Sequence, residues 1–319
     1  MTGAGTTSVC WTREPSFLTA PSTPTYVHAG RNASVNEIEL SNALERSRLP
    51  DDNEAVESIA QNLEGALALE YDLVHPWMLT DAFVSNHTDD DSDGVLEWSM
   101  GRGQMPTSRW FIGVDIGSNT VERVPKAAIT TQLQLQVSLN SNARVTQTLV
   151  YADETKNTTM TPGTIVGGDQ SPYVYHGGSF TVDGTTQKKM QSGSIDITNG
   201  GSLDQGWNRK AVDAVAGDAD YTVNATKIAT EETSSNVTLA YGNSNAPATS
   251  SGIDGVPGKL QLTRGDGDQI TLSMEGVTTN TYGWDNVPPS GDERVQEGIE
   301  LYPTRVTASA DVSMADPFA

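Results

Sequence analysis

An acidic stretch beginning at Asp89 has the residue types of a cation site. Asp89, Asp91 and Asp93, followed by Gly94, match the spacing of the first half of a calcium-binding loop. A complete loop carries a bidentate glutamate at its twelfth position, and Met100 stands there instead. The sequence therefore favours an acidic surface loop, and the three aspartates are only a weak candidate for a cation site.

Other stretches with the residue types of catalytic sites lack the partners that they need. Residues 113–120, with Asp115 on an apolar run between two glycines, resemble the first phosphate loop of the actin-like and exopolyphosphatase ATPases. That family places the loop near its N-terminus and follows it with α/β repeats, which this sequence does not show. The histidines are scattered and Cys10 is the single cysteine, so we expect no metal site and no internal disulfide. We predict that the chain is not an enzyme and binds no cofactor.

The chain is strongly acidic along its length. It has 19 Lys and Arg residues against 41 Asp and Glu residues, which gives a formal net charge of −22. Carboxylates hold water when salt screens charges over a few ångströms, so this composition is typical of a halophilic source. It argues against tight binding of nucleic acid, which depends on Lys and Arg. We see no signal peptide and no apolar run of about 20 residues, and we expect synthesis in the cytoplasm and no membrane contact.

Alternating apolar and polar residues predict an all-β chain with one short helix. Ile38 and Leu40 alternate with acidic residues in a first strand, and residues 67–73 form a second. Residues 75–84 have helical spacing after a proline and form the one predicted helix. A hairpin is predicted from two alternating strands at 130–139 and 143–151. Further strands are predicted at 194–198, 221–225, 259–262, 269–274 and 305–308.

The order of these features resembles the tail tube proteins of long-tailed phages and archaeal viruses. The resemblance spans most of the chain and rests on an arm rich in Pro and Thr, the strand pair at 38–40 and 67–73, the helix at 75–84, the hairpin at 131–151 and the strand at 194–199. It implies a tail-tube-type β-sandwich flanked by a helix, whose hairpins join those of neighbouring subunits in an inner β-barrel of a ring. Together with the acidic composition, it implies a virus that infects a haloarchaeon.

The resemblance implies a structural subunit of a viral tail tube, located in the virion tail and made in the host cytoplasm. Such a subunit assembles with itself into stacked rings and contacts other tail proteins at the tube ends. Viral DNA passes through the tube during genome ejection without binding tightly. Two other interpretations stay open: a secreted or surface-layer β-sandwich protein of a halophile, and another virion structural protein such as a capsid decoration or baseplate protein.

Two stretches of similar pattern predict that the tube fold occurs twice. Residues 38–42 read Ile-Glu-Leu-Ser-Asn, and residues 195–199 read Ile-Asp-Ile-Thr-Asn. The expected division is an extended N-terminal arm at 1–34, a first tube-like β domain at 35–152, a linker or surface loop at 153–172 and a second tube-like β domain at 173–319. Three such subunits would form a ring with sixfold pseudo-symmetry, and a hexamer with an appended outer domain is the alternative.

The same patterns assign individual residues. Acidic residues that alternate with apolar core residues point away from the core, so we expect three of them to line the channel: Glu37, Glu39 and Asp196. Aromatic residues of the N-terminal arm need burial that the arm alone does not supply. We therefore expect three of these to contact neighbouring subunits: Trp11, Phe17 and Tyr26.

Overall fold

The computed structural model describes residues 7–51, 53–89, 94–117, 119–242, 252–291 and 293–318. Nearly all of its regular structure is β-strand, with two helices, and this confirms the all-β class that the alternation predicts. The helices are α1 (Leu79–Phe83) and α2 (Thr233–Tyr241), and Tyr175–Gly177 form a 3-10 helix. The strands are β1 Thr7–Arg13, β2 Tyr26–His28, β3 Arg31–Ser41, β4 Leu44–Ser47, β5 Glu57–Ala60, β6 Glu64–Asp72, β7 Leu96–Ser99, β8 Ser108–Ile116, β9 Asn119–Ser138, β10 Arg144–Asn157, β11 Ile165–Val166, β12 Gly178–Val182, β13 Thr185–Thr186, β14 Met190–Thr198, β15 Ser202–Gln205, β16 Ala211–Val215, β17 Asp220–Ile228, β18 Val256–Thr263, β19 Gln269–Asp285, β20 Gln296–Tyr302 and β21 Arg305–Asp311.

The centre of the fold is an antiparallel main sheet in the order β3-β6-β10-β9-β14-β17-β20-β19. Its strands alternate apolar and polar residues, and the two-residue period of a strand sends the two kinds to opposite faces. One face is apolar and buried, with Leu67, Leu135, Ile195 and Val223 among its residues. The predicted hairpin at 131–151 is confirmed, because β9 and β10 pair in antiparallel fashion across these residues.

Further strands cover the apolar face of the main sheet. They are β1, β2 and β8 on one side, and β7, β12, β18, β21 and the first half of β19 on the other. The core between the layers is rich in buried indole rings: Trp11, Trp77, Trp98 and Trp110. Each such ring removes about 150–250 Å² from water on burial, so tryptophan contributes a large share of the apolar stabilisation.

The two helices differ in how far the sequence predicts them. In α1, Leu79, Ala82 and Phe83 are buried, as their helical spacing predicts. The helix begins at Leu79 rather than at residue 75, and Val84 ends it in the left-handed conformation with φ of 54°. The sequence of α2 is rich in Ser, Thr and Asn, which have low helix propensity, so α2 was not predicted. Tertiary contacts hold it, since Nδ2 of the buried Asn236 donates a hydrogen bond to Glu297 Oε1 on β20 at 2.6 Å.

Residues 1–34, expected to form an extended arm, contribute strands to the fold wherever the structure describes them. β1 pairs with β8 along its whole length, and β2 pairs with β1. The first strand of the main sheet, β3, already begins at Arg31. Between β1 and β2, residues 14–25 contain no helix or strand. The extended character predicted from the prolines therefore applies to this connection.

Candidate channel-lining face

The polar face of the main sheet is built from residues that the strand registers align in rows. One row contains Ser34, Glu70, Thr146, Gln134, Asp196 and Thr222. The next row contains Glu37, Ala68, Thr148, Gln132, Thr198 and Asp220. Residues that are directly opposite in a sheet point to the same face, so both rows lie on one surface. Neither row contains a lysine or an arginine.

The structure brings Glu37, Glu39 and Asp196 to this same face. Glu37 and Glu39 are exposed and two residues apart on β3, and Asp196 is half-buried on β14. The strands β6, β10 and β9 lie between them, so these acids are about 19 Å apart across the sheet. Carboxylates from distant parts of the sequence therefore share one surface.

Asp196 is held in place by neutral neighbours. Its Oδ1 accepts a hydrogen bond from Gln134 Nε2 at 2.8 Å and another from Gln132 Nε2 at 3.4 Å. Burial raises the pKa of Asp196, and the two amide hydrogen bonds partly offset this effect. Because both donors are uncharged, the hydrogen bonds fix the carboxylate without neutralising it.

A basic side chain in the adjoining row is already engaged by acids. Arg144 Nε forms an ion pair with Glu70 Oε1 at 2.7 Å, and Arg144 Nη1 lies 3.9 Å from Asp72 Oδ1. A phosphate group that approached Arg144 would have to compete with both carboxylates. Since affinity for nucleic acid comes mainly from free cationic groups, the two rows and the paired Arg144 offer little attraction for a phosphate backbone.

A family model described as phage tail tube protein matches residues 5–312 of this chain. The chain belongs to the phage tail tube protein family. No curated protein matches it. The tail tube resemblance is therefore confirmed over nearly the whole chain. As a family member, the protein is a structural subunit of a viral tail tube, is located in the virion tail and assembles with itself and other tail proteins. The family is structural, which implies a role without catalysis.

The tail tube protein already buries one of the three aromatic residues expected to contact neighbouring subunits. Trp11 is 2% exposed, and its ring centroid lies 5.9 Å from that of Trp110 and 4.8 Å from that of Phe318. It has no surface left for a neighbour, because β1 lies inside the fold and is not part of a free arm. Phe17 and Tyr26 are partly exposed, and their contacts with a neighbour stay a prediction.

The stretches that carry metal- or phosphate-binding residue types have ordinary structural roles where they are described. Asp91 and Asp93 lie outside the described residues, and Asp89 is exposed. Among the residues that the structure describes, no group of three or more His, Cys, Asp or Glu could hold a metal ion. Asp115 Oδ1 accepts a hydrogen bond from Thr120 at 2.6 Å across the β8–β9 turn, where Ser118 is not described. In the same described part, no helix is long and apolar enough to span a membrane.

Sequence reasoning missed two sets of residues on the main sheet. Gln132 and Gln134 alternate with leucines, so the argument that assigned Asp196 to the polar face would have assigned them as well. Leu40 and Trp284 are 39% and 52% exposed on the two outermost strands. No local pattern identifies these two, because exposure at an edge depends on the order of the strands.

Proposed function

We propose that this tail tube protein assembles into stacked rings whose main sheets join around a channel, and that the polar face lines the channel through which the viral genome is delivered. The observation that carries the proposal is the strand order. The group β3-β6-β10-β9 is followed by the group β14-β17-β20-β19, and the β9–β14 pair joins the two groups within one chain. The outer strands β3 and β19 each have an unpaired edge, so strands of another subunit can pair there and extend the sheet.

The two groups have the same internal organisation, which supports a duplicated tube fold. In each group a hairpin, β4–β5 or β15–β16, connects the first two strands, and a helix, α1 or α2, follows the second strand. A bulge occurs at the same place in the last pair of strands of each group. At this bulge, Thr131 of β9 has no facing residue in β10, and Asn280 of β19 has no facing residue in β20.

Counting from this bulge aligns the two groups residue by residue. The residue after the bulge begins a row in each group. In the first group the row is Gln132, Thr148, Ala68 and Glu37. In the second group it is Thr281, Glu300, Asn224 and Ser194. Glu37 thus corresponds to Ser194 and Ile38 to Ile195, which is the alignment that the sequence pattern at 38–42 and 195–199 predicts independently.

A duplicated fold favours three subunits per ring over six. Both groups contribute strands to one main sheet, so three chains would give a ring with sixfold pseudo-symmetry. The alternative hexamer would place the second half outside the channel, which fits less well with the β9–β14 pair. In this arrangement residues 35–152 and 173–319 are the two tube-like units, and Phe17 and Tyr26 contact a neighbouring subunit.

The charge of the protein suits a DNA conduit that works at high salt. Two rows with acids and without lysine or arginine release few counterions from DNA, so the genome passes without binding tightly. The net charge of −22 supports a virus of a haloarchaeon, in whose cytoplasm the subunit is made. At high ionic strength the Debye length falls to about 3 Å, which lets acidic subunits approach one another.

Electron microscopy of the purified protein in molar salt tests the proposal. We expect rings or stacked tubes, and native mass spectrometry of released rings should give the mass of three chains. Protein that stays monomeric at every salt concentration would contradict the tube assembly. Six chains per ring, with residues 173–319 wholly outside the channel, would contradict the duplication alone.

A further inference from the structure

Both ends of the main sheet are unpaired edges with exposed apolar side chains. In the part of the chain that the structure describes, β3 pairs only with β6, and residues 278–285 of β19 pair only with β20. Leu40 on β3 is 39% exposed, and Trp284 on β19 is 52% exposed. An unpaired edge of this kind is a template for pairing with another chain.

The internal β9–β14 seam shows how two such edges join in this fold. Leu135 lies opposite Ile195, and Leu133 lies opposite Ile197, on the core side of the sheet. All four side chains are at most 3% exposed. The seam is therefore closed on the core side by directly opposed apolar pairs.

The alignment of the two groups identifies which residues of the free edges occupy the positions of the β9–β14 seam. Position by position, β9 corresponds to β19, and β14 corresponds to β3. The correspondences that matter are Leu133 with Tyr282, Leu135 with Trp284, Ile195 with Ile38, and Ile197 with Leu40.

We propose that β19 of one subunit pairs in antiparallel fashion with β3 of the next copy of this chain, with Trp284 opposite Ile38 and Tyr282 opposite Leu40. The inference rests on the proposed ring assembly and specifies its contact surface. The pairing would continue the main sheet across the subunit boundary in the register that the chain already uses internally.

The transferred register places apolar side chains opposite apolar side chains. This supports it, because the polarity of the side chains was not used to align the two groups. Trp284 and Tyr282 lie side by side on β19, where Trp284 Nε1 donates a hydrogen bond to Tyr282 Oη at 2.5 Å. A shift of one residue would place Trp284 opposite Glu37 or Glu39 and leave the apolar residues facing polar ones. The proposed register buries the exposed apolar groups of both edges.

The β3 edge is held in position before any partner binds. Arg123 Nη1 donates a hydrogen bond to the carbonyl oxygen of Ile38 at 2.8 Å, and the Tyr151 hydroxyl donates one to that of Glu39 at 2.6 Å. Consecutive carbonyl oxygens of a strand point to opposite edges, so one of these two faces the free edge, where its second lone pair can accept a hydrogen bond from a neighbouring strand. These contacts fix the strand in an extended conformation that can receive β19.

On the polar side, the same register places Asp285 opposite Glu37. Like charges that are directly opposite in a sheet repel each other, and salt screens this repulsion. The seam between subunits is therefore expected to close only at high salt.

Cysteine pairs in a Cys10→Ser background test the register. Directly opposite residues have Cα atoms about 4.5–5.5 Å apart, which a disulfide spans, whereas diagonal neighbours are about 7–8 Å apart and are not bridged. Oxidation of assembled tubes should link subunits covalently in the Ile38→Cys/Trp284→Cys variant and in the Glu37→Cys/Asp285→Cys variant, which keeps the tryptophan. The diagonal control, Ile38→Cys/Tyr282→Cys, should stay unlinked. On a non-reducing gel, the largest product is expected to contain three chains.

A charge reversal provides a second measurement that leaves the aromatic residues intact. Asp285→Lys should lower the salt concentration at which rings form, because it places a cation opposite Glu37. Asp311→Lys, an equal charge change at the exposed end of β21, should lower it much less. Equal effects of the two variants, or tubes that link only through the diagonal pair, would overturn the register and leave the tube function intact. Wild-type protein that forms no ring at any salt concentration would overturn the proposed function and this inference together.

Discussion

Asp81 in α1 is a buried acid that the fold does not compensate. It is 1% exposed, and within the described residues neither carboxylate oxygen has a hydrogen-bond partner. Burial raises the pKa of Asp81 from 3.8 to about 7, and the charge of Arg13 opposes this only in part. The folded state therefore keeps the proton over a pH range in which the unfolded state has lost it. The contribution of Asp81 to stability is therefore most favourable below about pH 4 and is lost as the pH rises to about 7.

We expect Asp81→Asn to remove this loss of stability. A pKa that rises from 3.8 to about 7 corresponds to about 4 kcal/mol, at about 1.4 kcal/mol for each pH unit. The variant should match the wild-type protein near pH 4 and exceed its free energy of unfolding by up to that amount at pH 8. The difference should grow between about pH 4 and pH 7 and level off above that.

Urea unfolding at constant molar salt, in steps from pH 4 to pH 8, measures this difference. Asp311→Asn, which removes one charge from an exposed position, is the matched control and should show no such growth with pH. Parallel curves for Asp81→Asn and the wild-type protein would refute the reasoning. They would mean that Asp81 is ionised in the folded state and that Arg13 compensates it.

Three further changes have measurable expected results: one at a buried lysine, one on the polar face and one in the salt concentration. Lys227→Met should destabilise the protein by about 1–3 kcal/mol, because buried Lys227 Nζ donates a hydrogen bond to the buried Gln187 Oε1 at 2.9 Å and lies 3.8 Å from Glu232 Oε2. Arg305→Met, at an exposed ion pair with Glu275, should barely move the urea midpoint. Lysine at both Glu39 and Asp196 should make assembled tubes retain DNA, with retention falling as salt rises, because each lysine adds a phosphate contact; equal retention by wild-type tubes would contradict the assignment of the polar face. Dilution to about 0.1 M salt, where the Debye length is ~10 Å, should dissociate the rings in sedimentation experiments, since the charge of −22 recurs in every subunit; rings that persist would show that acidity does not limit assembly.

Local alternation was sufficient to predict most strands of the main sheet and the face to which their acids point, but β20 and residues 278–285 of β19 were not predicted. In residues 38–40 of β3, 133–137 of β9 and 195–197 of β14, every second residue is apolar, and a strand has only two faces, so Glu37 and Asp196 could be assigned without knowledge of the fold. The apolar residues of α1 were predicted for the same reason with a different period. These features depend on neighbours within a few residues.

Features that depend on distant residues were not predicted. Trp11 looked like part of a free arm, because nothing near it in the sequence reveals that β8, about a hundred residues later, pairs with β1. The composition of α2 disfavours a helix, and contacts with Glu297 on β20 hold it. The edge positions of β3 and β19 follow only from the complete strand order, and the residues that we propose at the seam could be found only after that order was known.

The two groups of the main sheet differ in charge, and the difference bears on assembly. Glu39 and Asp196 correspond to each other, so in the proposed ring of three chains a carboxylate occurs at that level six times. Glu37 corresponds to Ser194, so this position of β3 and β14 carries a carboxylate only three times. At the internal seam Ser194 lies opposite Gln136, a neutral pair, whereas at the proposed seam between subunits Glu37 lies opposite Asp285. Repulsion is therefore concentrated at the contacts that must form during assembly, and the seam within each chain is already closed by folding. Salt should consequently act more strongly on ring closure than on the stability of the single subunit.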